Sequence, residues 1–446
     1  MTDYSSFNID DRACGDADQS SDIRRLDIGV ERRQARLLDG HCANPHLLCI
    51  GGEDHNLRIP FLLALRDRGF HISTAGTGDP APFAGLGLGY HAFRFERFIN
   101  PLADGTAIRT LNGLIAGVRP DIVQSFDTKP NLLVPLAARN LPDVRAVRTI
   151  NGLGQIYSSR SLTALTLRQI FPTLHRAAAR STALTIFQNR DDQMFFERHR
   201  MIGKGASRLI PGSGVDIDSF DRAIVAGPSR AALRRQLNLD ESEVVITVTR
   251  MTRQKGIPTL LEAAALVHQV RPRVRFLLVG PRQGEGSSAV TLAEIDRHAP
   301  YVVALGSRSD IPALLNLADV FAFPTEYREG VPRVLLEAAL ADLPIVTTDM
   351  PGCSDVVRDQ WSGFLVPPRD PRRLAARILD MLRERETARV MGVRAGQLVR
   401  EEFGLQLTVS RYVEAYVALM DQSVQSPSRR IQEEANNEIS FEEARS

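Results

Sequence analysis

Apolar positions fall into two alternating rhythms from residue 45 onward. The run 46–50 (HLLCI) is short, apolar and closed by Gly51 and Gly52. That pattern predicts a buried strand ending in a glycine turn. Residues 57–68 carry apolar side chains at helical spacing and stop at Gly69, and 70–75 predicts the next strand. The alternation continues with helices at 108–118, 131–140 and 162–179 and strands at 121–125, 145–149 and 184–188. A second series places strands at 244–249, 274–279, 302–305, 320–323, 345–348 and 363–366. Its helices are expected at 257–270, 292–297, 311–318, 334–341, 374–385 and 405–420. Strands alternating with helices indicate parallel βαβ units. Residues 211–228 read as a loop between the two series, followed by a charged stretch to 243. The expected fold class is therefore α/β, with two Rossmann-like doubly wound domains, 45–215 and 216–404, facing each other across a cleft. Residues 1–44 and 422–446 lack a hydrophobic period and read as polar tails, the first mobile with one short helix near 27–38. Ligands of such sheets lie at the carboxyl ends of the strands, so the chemistry is sought in those loops.

Composition narrows the class. Hydrophobic residues make up 43% and charged residues 24% of the chain, as in soluble globular proteins and unlike disordered, collagenous or disulfide-stapled ones. No apolar run is long enough for a membrane span. The acidic, polar N-terminus does not resemble a secretory signal. A net charge of +2 offers no general attraction to nucleic acid. Cys14, Cys42, Cys49 and Cys353 form no CxxC pair, which argues for reduced thiols in a cytosolic protein and against a metal or redox motif. Only Lys129, Lys204 and Lys255 are lysines. Arginine is otherwise the default cation, so each lysine merits inspection.

Two constellations carry candidate chemistry. Arg250 and Lys255, followed by Gly256, sit between a predicted strand and a helix with Pro258 in its first turn. Two cations at the carboxyl edge of a sheet suit a diphosphate; a merely solvated basic loop is the alternative. The second is 326–339 (EYREGVPRVLLEAA), after the strand 320–323. Pro332 suits a first helical turn, and Gly330 would let the backbone approach a ligand. A helix N-terminus there is an anion site. Glu337 lies among Leu335, Leu336, Ala338 and Ala339. A carboxylate buried in such company needs hydrogen-bond partners, which sugar hydroxyls would supply. The alternative is a surface glutamate paired with a nearby arginine.

Glu329 and Glu337 together resemble the EX7E motif of retaining glycosyltransferases of the GT-B fold. The segments LLVGP (277–281), LGSRSDIPALLNLADVFAFPT (305–325) and LPIVTTDMPGCSDVV…SGFLVPPRDP (343–371) extend the resemblance. The chain is identified on them as similar to glycosyltransferase family 4, closely over 240–385. DTKPN (127–131), TINGLG (149–154), FQNRDD (187–192) and IPGSGVD (210–216) resemble bacterial transferases that extend polyprenyl-diphosphate-linked sugars in surface-glycan assembly.

The resemblance implies a hexosyltransferase that keeps the anomeric configuration. The donor would be a UDP-sugar and the acceptor a lipid-linked saccharide, as in exopolysaccharide, O-antigen or capsule biosynthesis. It implies that 45–215 binds the acceptor, 216–404 binds the nucleotide sugar, and the helix in 405–421 crosses back to the first domain. Arg250 and Lys255 would stabilise the leaving UDP, and Glu329 would hold hydroxyls of the donor sugar near the backbone N–H groups of Gly330, Val331 and Val334, beside Pro332. Glu337 would bind the ribose, Ser307 and Arg308 would flank the base, and Gly51 and Gly52 would approach the diphosphate. Where many members carry a histidine, this chain has Thr149 and Asn151, which with Arg160 and Arg168 are candidates for the acceptor side. Asp16/Asp18 and Asp216/Asp218 have DxD spacing but follow no strand of the donor domain, so neither a metal nor another cofactor is expected.

The segment 160–208 holds nine Arg or Lys against three Asp or Glu. Its apolar positions Leu162, Leu165, Ile170, Phe171 and Leu174, with basic residues between them, suit attachment to an anionic membrane surface. That places the protein in the cytoplasm, peripheral on the inner face of the cytoplasmic membrane. An ordinary core-facing helix is the alternative, and Pro172 interrupts the segment. Two other functions fit the same fold. A UDP-sugar epimerase would use Glu53, Asp54 or His55 for proton abstraction; a non-catalytic nucleotide-sugar-binding subunit would not need to keep Arg250, Lys255, Glu329 and Glu337. A glycosidase would use two carboxylates but leaves the Arg250/Lys255 pair without a purpose.

Overall fold

The computed structural model describes residues 44–93, 100–158, 162–239, 241–282 and 288–424. The tails and the short helix expected near 27–38 lie outside the described residues, apart from Asn44 and 422–424. Both sheets belong to the compact unit that begins at Pro45.

The first sheet has seven parallel strands: β1 (His46–Gly51), β2 (His71–Gly76), β3 (Gly89–Ala92), β4 (Ile122–Phe126), β5 (Arg145–Ile150), β6 (Leu184–Phe187) and β7 (Ala206–Leu209). Their spatial order is β3-β2-β1-β4-β5-β6-β7. The second sheet has six: β8 (Glu243–Val248), β9 (Val274–Val279), β10 (Val302–Gly306), β11 (Val320–Phe323), β12 (Ile345–Thr348) and β13 (Phe364–Val366). Their order is β10-β9-β8-β11-β12-β13. Central strands such as β4, β11 and β12 are buried along their whole length. Parallel sheets are covered by helices on both faces, which is why these strands read as continuous apolar runs. One core of the second domain gathers Phe321, Phe323, Leu335 and Leu336. Another, on the opposite face, gathers Leu260, Ala264, Val320 and Ala322.

The order in which successive strands are added reverses between the adjacent parallel strands β1 and β4 in one sheet and β8 and β11 in the other. Such a switch point leaves a crevice at the strands' carboxyl ends. The loops after β8 and β11 carry Arg250, Lys255 and Glu329.

Several elements were not legible. β3 and β7 are short edge strands, GYHA and ASRL, with exposed positions and no apolar rhythm; their neighbours' backbone ladders place them. The expected loop 211–228 instead contains the helix Ile217–Ala226, and the helix Arg230–Gln236 follows it. Asp216 and Ser229 cap these two helices by accepting the N–H groups of Ser219 and Ala232. Glycine and proline punctuation around them masked two short helices. The helix Pro101–Val118 also begins earlier than its apolar spacing suggested.

The chain passes between the sheets twice at one place. Val215 pairs with Gly404 as an isolated parallel bridge, with Val215 N–H on Phe403 O (3.0 Å) and Leu405 N–H on Val215 O (2.9 Å). The helix Leu405–Val424 then packs on the helix Ile59–Asp67. The Tyr412 ring meets Phe61 edge-on at 4.9 Å, and Tyr416 donates to Gln124 Oε1 (2.9 Å).

Candidate functional site

A cavity of about 370 Å³ opens at the carboxyl edge of β8, β9 and β11. Arg250, Lys255, Ser307, Arg308, Glu329, Pro332, Arg333, Val334 and Glu337 contribute to its lining. Nine residues drawn from three loops and one helix thus converge at the carboxyl edge of the sheet.

Lys255 ends the short turn Arg253–Lys255, and Gly256 follows in the left-handed region at φ 72°. Any Cβ at Gly256 would collide with the Pro324 carbonyl oxygen, so the turn that aims Lys255 requires glycine. Lys255 is only 7% exposed. Its Nζ lies 2.5 Å from Glu329 Oε1, and Thr325 Oγ1 approaches the same carboxylate oxygen at 3.4 Å. The ammonium also lies 5.1 Å from the Tyr327 ring centre and 5.8 Å from that of Phe323, where ring faces favour a cation. An ammonium has three donors, and this one is held without using them all.

Glu337 stands on the helix Arg333–Leu340, where Arg333 Nε reaches its Oε1 at 3.0 Å one turn earlier. Burial pushes the Glu337 carboxyl above its ordinary value, and Arg333 only partly offsets it. Across the cavity Arg308 grips Asp310 through both Nε (2.8 Å) and Nη2 (2.6 Å). Cys353 is buried, and its thiol is pushed up to about 12 by desolvation. It is therefore a packing residue.

Other expected residues have different surroundings. Gly330 and Val331 do not line the cavity. The Gly330 N–H is donated to Asn151 O at 3.0 Å, and a Cβ there would collide with Gln188 Oε1. Gly330 is glycine because two domains meet over it, and its N–H is not offered to an anion. Val331 packs into the core of the second domain. Gly51 and Gly52 also lie outside the cavity lining. A Cβ on Gly51 would strike the His55 ring, and the Gly52 N–H goes to Asp127 Oδ2 at 2.9 Å. Asp127 sits at φ 69° and takes Arg58 Nη2 at 2.8 Å. Burial opposes its charge, but Arg58 and the Gly52 N–H prevail and hold the carboxyl below its ordinary value.

Thr149 is fully buried, with its hydroxyl between Gln124 Nε2 (3.0 Å) and Tyr412 OH (3.1 Å). It fastens the last helix to the first sheet. The Asn151 amide is best satisfied with its oxygen on Arg58 Nη2 (2.9 Å) and its nitrogen on Thr149 O (3.2 Å). Arg168 donates to the carbonyls of Ile156 (2.8 Å) and Tyr157 (3.0 Å), so it closes the short helix Gly154–Ser158. Arg160 lies outside the described residues. His55 is 1% exposed beside the Phe83 ring (5.6 Å). Burial and Arg58 push it down to about 3. A ring that is covered and so weakly basic is poorly placed to abstract a proton from a ligand in the cleft, which argues against His55 as an epimerase base. Asp216, one of the DxD pairs, caps a helix; Asp16 and Asp18 lie outside the described residues. Among the described residues no cluster of His, Cys, Asp or Glu could hold a metal ion.

Arg333, Thr325 and Tyr327 were missed. Arg333 was detectable as the i,i+4 partner of Glu337. Thr325 and Tyr327 had no such signal, because their part depends on where the loop after β11 turns.

Two parallel-sheet domains with a cation-carboxylate cavity at one switch point have the GT-B fold. Residues 242–384 match the family described as glycosyl transferases group 1, and the chain is a hexosyltransferase carrying that domain. It is 25% identical over 369 residues to the N,N'-diacetylbacillosaminyl-diphospho-undecaprenol alpha-1,3-N-acetylgalactosaminyltransferase of Campylobacter jejuni, covering 82% of this chain and 96% of that one. It is 26% identical over 277 residues to the UDP-Gal:alpha-D-GlcNAc-diphosphoundecaprenol alpha-1,3-galactosyltransferase of Escherichia coli, covering 61% and 69%. The fold matches Anabaena HepE, crystallised in complex with UDP, at a TM-score of 0.67 and 21% identity, over 84% of this chain and 99% of that one.

Proposed function

We propose that the protein transfers a hexose or N-acetylhexosamine from a UDP-sugar to a polyprenyl-diphosphate-linked saccharide, with retention at the anomeric carbon. The carrying observation is the Lys255–Glu329 pair, 2.5 Å apart in a cavity that Arg250 and Glu337 also line. Lys255 and Arg250 meet the diphosphate and stabilise the charge that grows on it as the glycosidic bond breaks. Glu329 orients the donor sugar's hydroxyls, and Glu337 takes the ribose hydroxyls. The acceptor hydroxyl bonds to the anomeric carbon, and its proton passes to the departing phosphate oxygen. Donor and acceptor classes agree with the names of the Campylobacter and Escherichia relatives. Calorimetry with UDP, GDP and ADP in EDTA tests the donor site. Selective UDP binding that Lys255→Ala abolishes supports it; equal binding by the variant refutes it.

The proposed acceptor saccharide is carried on a lipid, and the helix Leu162–Ala179 supports a membrane-facing role. Leu162 is 83% exposed, and Leu165 and Ile170 are exposed with it, while Phe171 and His175 point into the core. Arg176 and Arg180 are exposed further along. An apolar end followed by basic residues suits an anionic bilayer surface, which would set the protein at the inner face of the cytoplasmic membrane. No helix among the described residues is long and apolar enough to cross a membrane. Flotation with vesicles containing anionic lipid at low salt should carry the wild type upward, and Leu162→Glu/Ile170→Glu should stay below. Equal flotation of both would remove this surface.

A further inference from the structure

The loop 327–330 belongs to the second domain by sequence, but its backbone is bonded to the first. Gly154 N–H donates to Arg328 O (3.1 Å), Gly330 N–H to Asn151 O (3.0 Å), and Arg328 N–H to Ser158 Oγ (2.8 Å). The helix Arg190–Arg198 adds a side-chain grip. Asn189 is its N-cap: Oδ1 accepts the Asp192 N–H at 2.8 Å. The Asn189 Nδ2 faces the other way, reaching Glu329 O at 3.1 Å and Gly330 O at 3.2 Å. It also meets Asp192 Oδ2 at 2.9 Å. Asp192 has no exposed side-chain surface and takes Arg328 Nη2 on its other oxygen at 3.1 Å. The Arg328 guanidinium stands 5.7 Å from the Phe195 ring of the same helix.

A helix cap needs only an acceptor, and serine or aspartate would serve. An asparagine whose amide nitrogen spans two carbonyls of the other domain does more than cap. A buried aspartate is costly unless paired, and here its cationic partner lies in the other domain. Asn189 holds the carbonyl of Glu329 itself and Asp192 holds the side chain of its neighbour Arg328, so both grips flank the residue whose carboxylate faces the cavity.

We propose that Asn189 and Asp192 are positioning residues: they fasten the loop 327–330 to the first domain and thereby seat the Glu329 carboxylate in the donor cavity. Separation of the domains breaks these bonds and withdraws Glu329, so the donor sugar is gripped only while the acceptor-side domain is engaged. This rests on the reading that Glu329 contacts the donor sugar.

The test compares wild type, Asn189→Ser, Asp192→Asn, Glu329→Gln and Lys255→Ala. Asn189→Ser keeps a helix cap and loses the reach to Glu329 O and Gly330 O. Asp192→Asn keeps the shape and loses the charge opposite Arg328. Three quantities are read: UDP affinity by calorimetry, UDP release from the fastest of UDP-glucose, UDP-galactose and their N-acetyl forms, and amide exchange at Gly154 and Gly330. Displacing a reacting group by about 1 Å costs up to about a hundredfold in rate. Asn189→Ser and Asp192→Asn should therefore lower kcat about tenfold or more, with UDP affinity within about twofold of wild type and the two amides exchanging at least about tenfold faster. Unchanged amide exchange in both variants overturns the proposal, as does UDP affinity falling in step with kcat, the sign of general unfolding. If none of these donors is turned over, exchange and affinity decide. Normal kcat in Glu329→Gln would overturn the underlying reading and this proposal with it. Impaired Glu329→Gln with unaffected Asn189→Ser and Asp192→Asn would overturn this proposal alone.

Discussion

Replacing the two members of the Lys255–Glu329 pair should move UDP affinity in opposite directions. Lys255 Nζ is 2.5 Å from Glu329 Oε1. A phosphate oxygen on another N–H of the same ammonium, at ordinary hydrogen-bond length, would stand roughly 4.3 Å from that carboxylate oxygen. At an effective dielectric of about 20, two unit charges at that separation repel by roughly 4 kcal/mol. Solvent in the open cavity removes much of this, as does the loss of Glu329's hold on the ammonium. Glu329→Gln should therefore tighten UDP by about 1 kcal/mol, roughly fivefold. Lys255→Ala removes a charge-assisted bond of about 1.5–3 kcal/mol and should weaken UDP about 10- to 150-fold. Turnover should fall in both, by roughly a hundredfold or more where a transition-state charge donor is lost. In Lys255→Ala the carboxylate stands without its cation, so adding Glu329→Gln should restore more than fivefold. A double-mutant cycle by calorimetry in EDTA measures all four values. If Glu329→Gln weakens UDP as much as Lys255→Ala does, the pair is a structural unit and the assigned roles are wrong.

Three further outcomes follow from other parts of the molecule. Burial raises the Glu337 carboxyl above its ordinary value. Its contribution to stability is therefore present at acid pH and lost as pH rises through the raised value. Glu337→Gln should thus melt higher relative to wild type at pH 8 than at pH 5, and a gap that narrows on going to pH 8 would show that the Arg333 ion pair outweighs desolvation. Gly352 has φ 84°, and a Cβ there would collide with the Gly330 carbonyl oxygen; Gly352→Ala should cost about 1–3 kcal/mol and slow transfer by shifting the Glu329 loop, with an unaltered denaturant midpoint and rate counting against that contact. Tyr416→Phe leaves Gln124 Oε1 without its 2.9 Å donor and should lower stability by about 1–3 kcal/mol with UDP affinity unchanged; a loss below about 0.5 kcal/mol in urea unfolding would mean that the last helix is not held there.

Legibility followed the range of the interactions. The strand β11 and the helix Ile257–Val270 match the expected spans because a fully buried strand and a helix with one apolar face write their own periods into the chain. The edge strands β3 and β7 carry no such period, since their sheet partners alone define them. The same division runs through the site. Arg250, Lys255, Glu329 and Glu337 stand in loops and on a short helix flanked by Gly256, Gly330 and Pro332, and those punctuators are local. Gly330 was legible as glycine, but its reason was not. The atom that excludes a side chain belongs to Gln188, in the other domain. Thr149 and Arg168 were singled out for polarity at a suggestive position. The structure spends that polarity internally, on Tyr412 and on the carbonyls of Ile156 and Tyr157.

The spacing of the two glutamates has a physical logic that emerges only with both domains in view. Glu337 is rigid because it rides on a helix whose Leu335, Leu336, Ala338 and Ala339 are buried in the core of its own domain. Glu329 has its carboxylate held within its domain by Lys255 and Thr325, but it stands on a loop with no helix beneath it. Its peptide is held from Asn189, 140 residues away in sequence, and its neighbours from Asn151, Ser158 and Asp192. A group that holds the nucleotide gains from permanent rigidity, because it should be ready before the donor arrives. A group that orients the reacting sugar gains from conditional rigidity, because a donor activated in an open cleft would be lost to water. Placing one carboxylate on a helix and the other on a loop clamped from across the cleft lets a single domain provide both. That difference, more than the residue type, separates the two proposed roles.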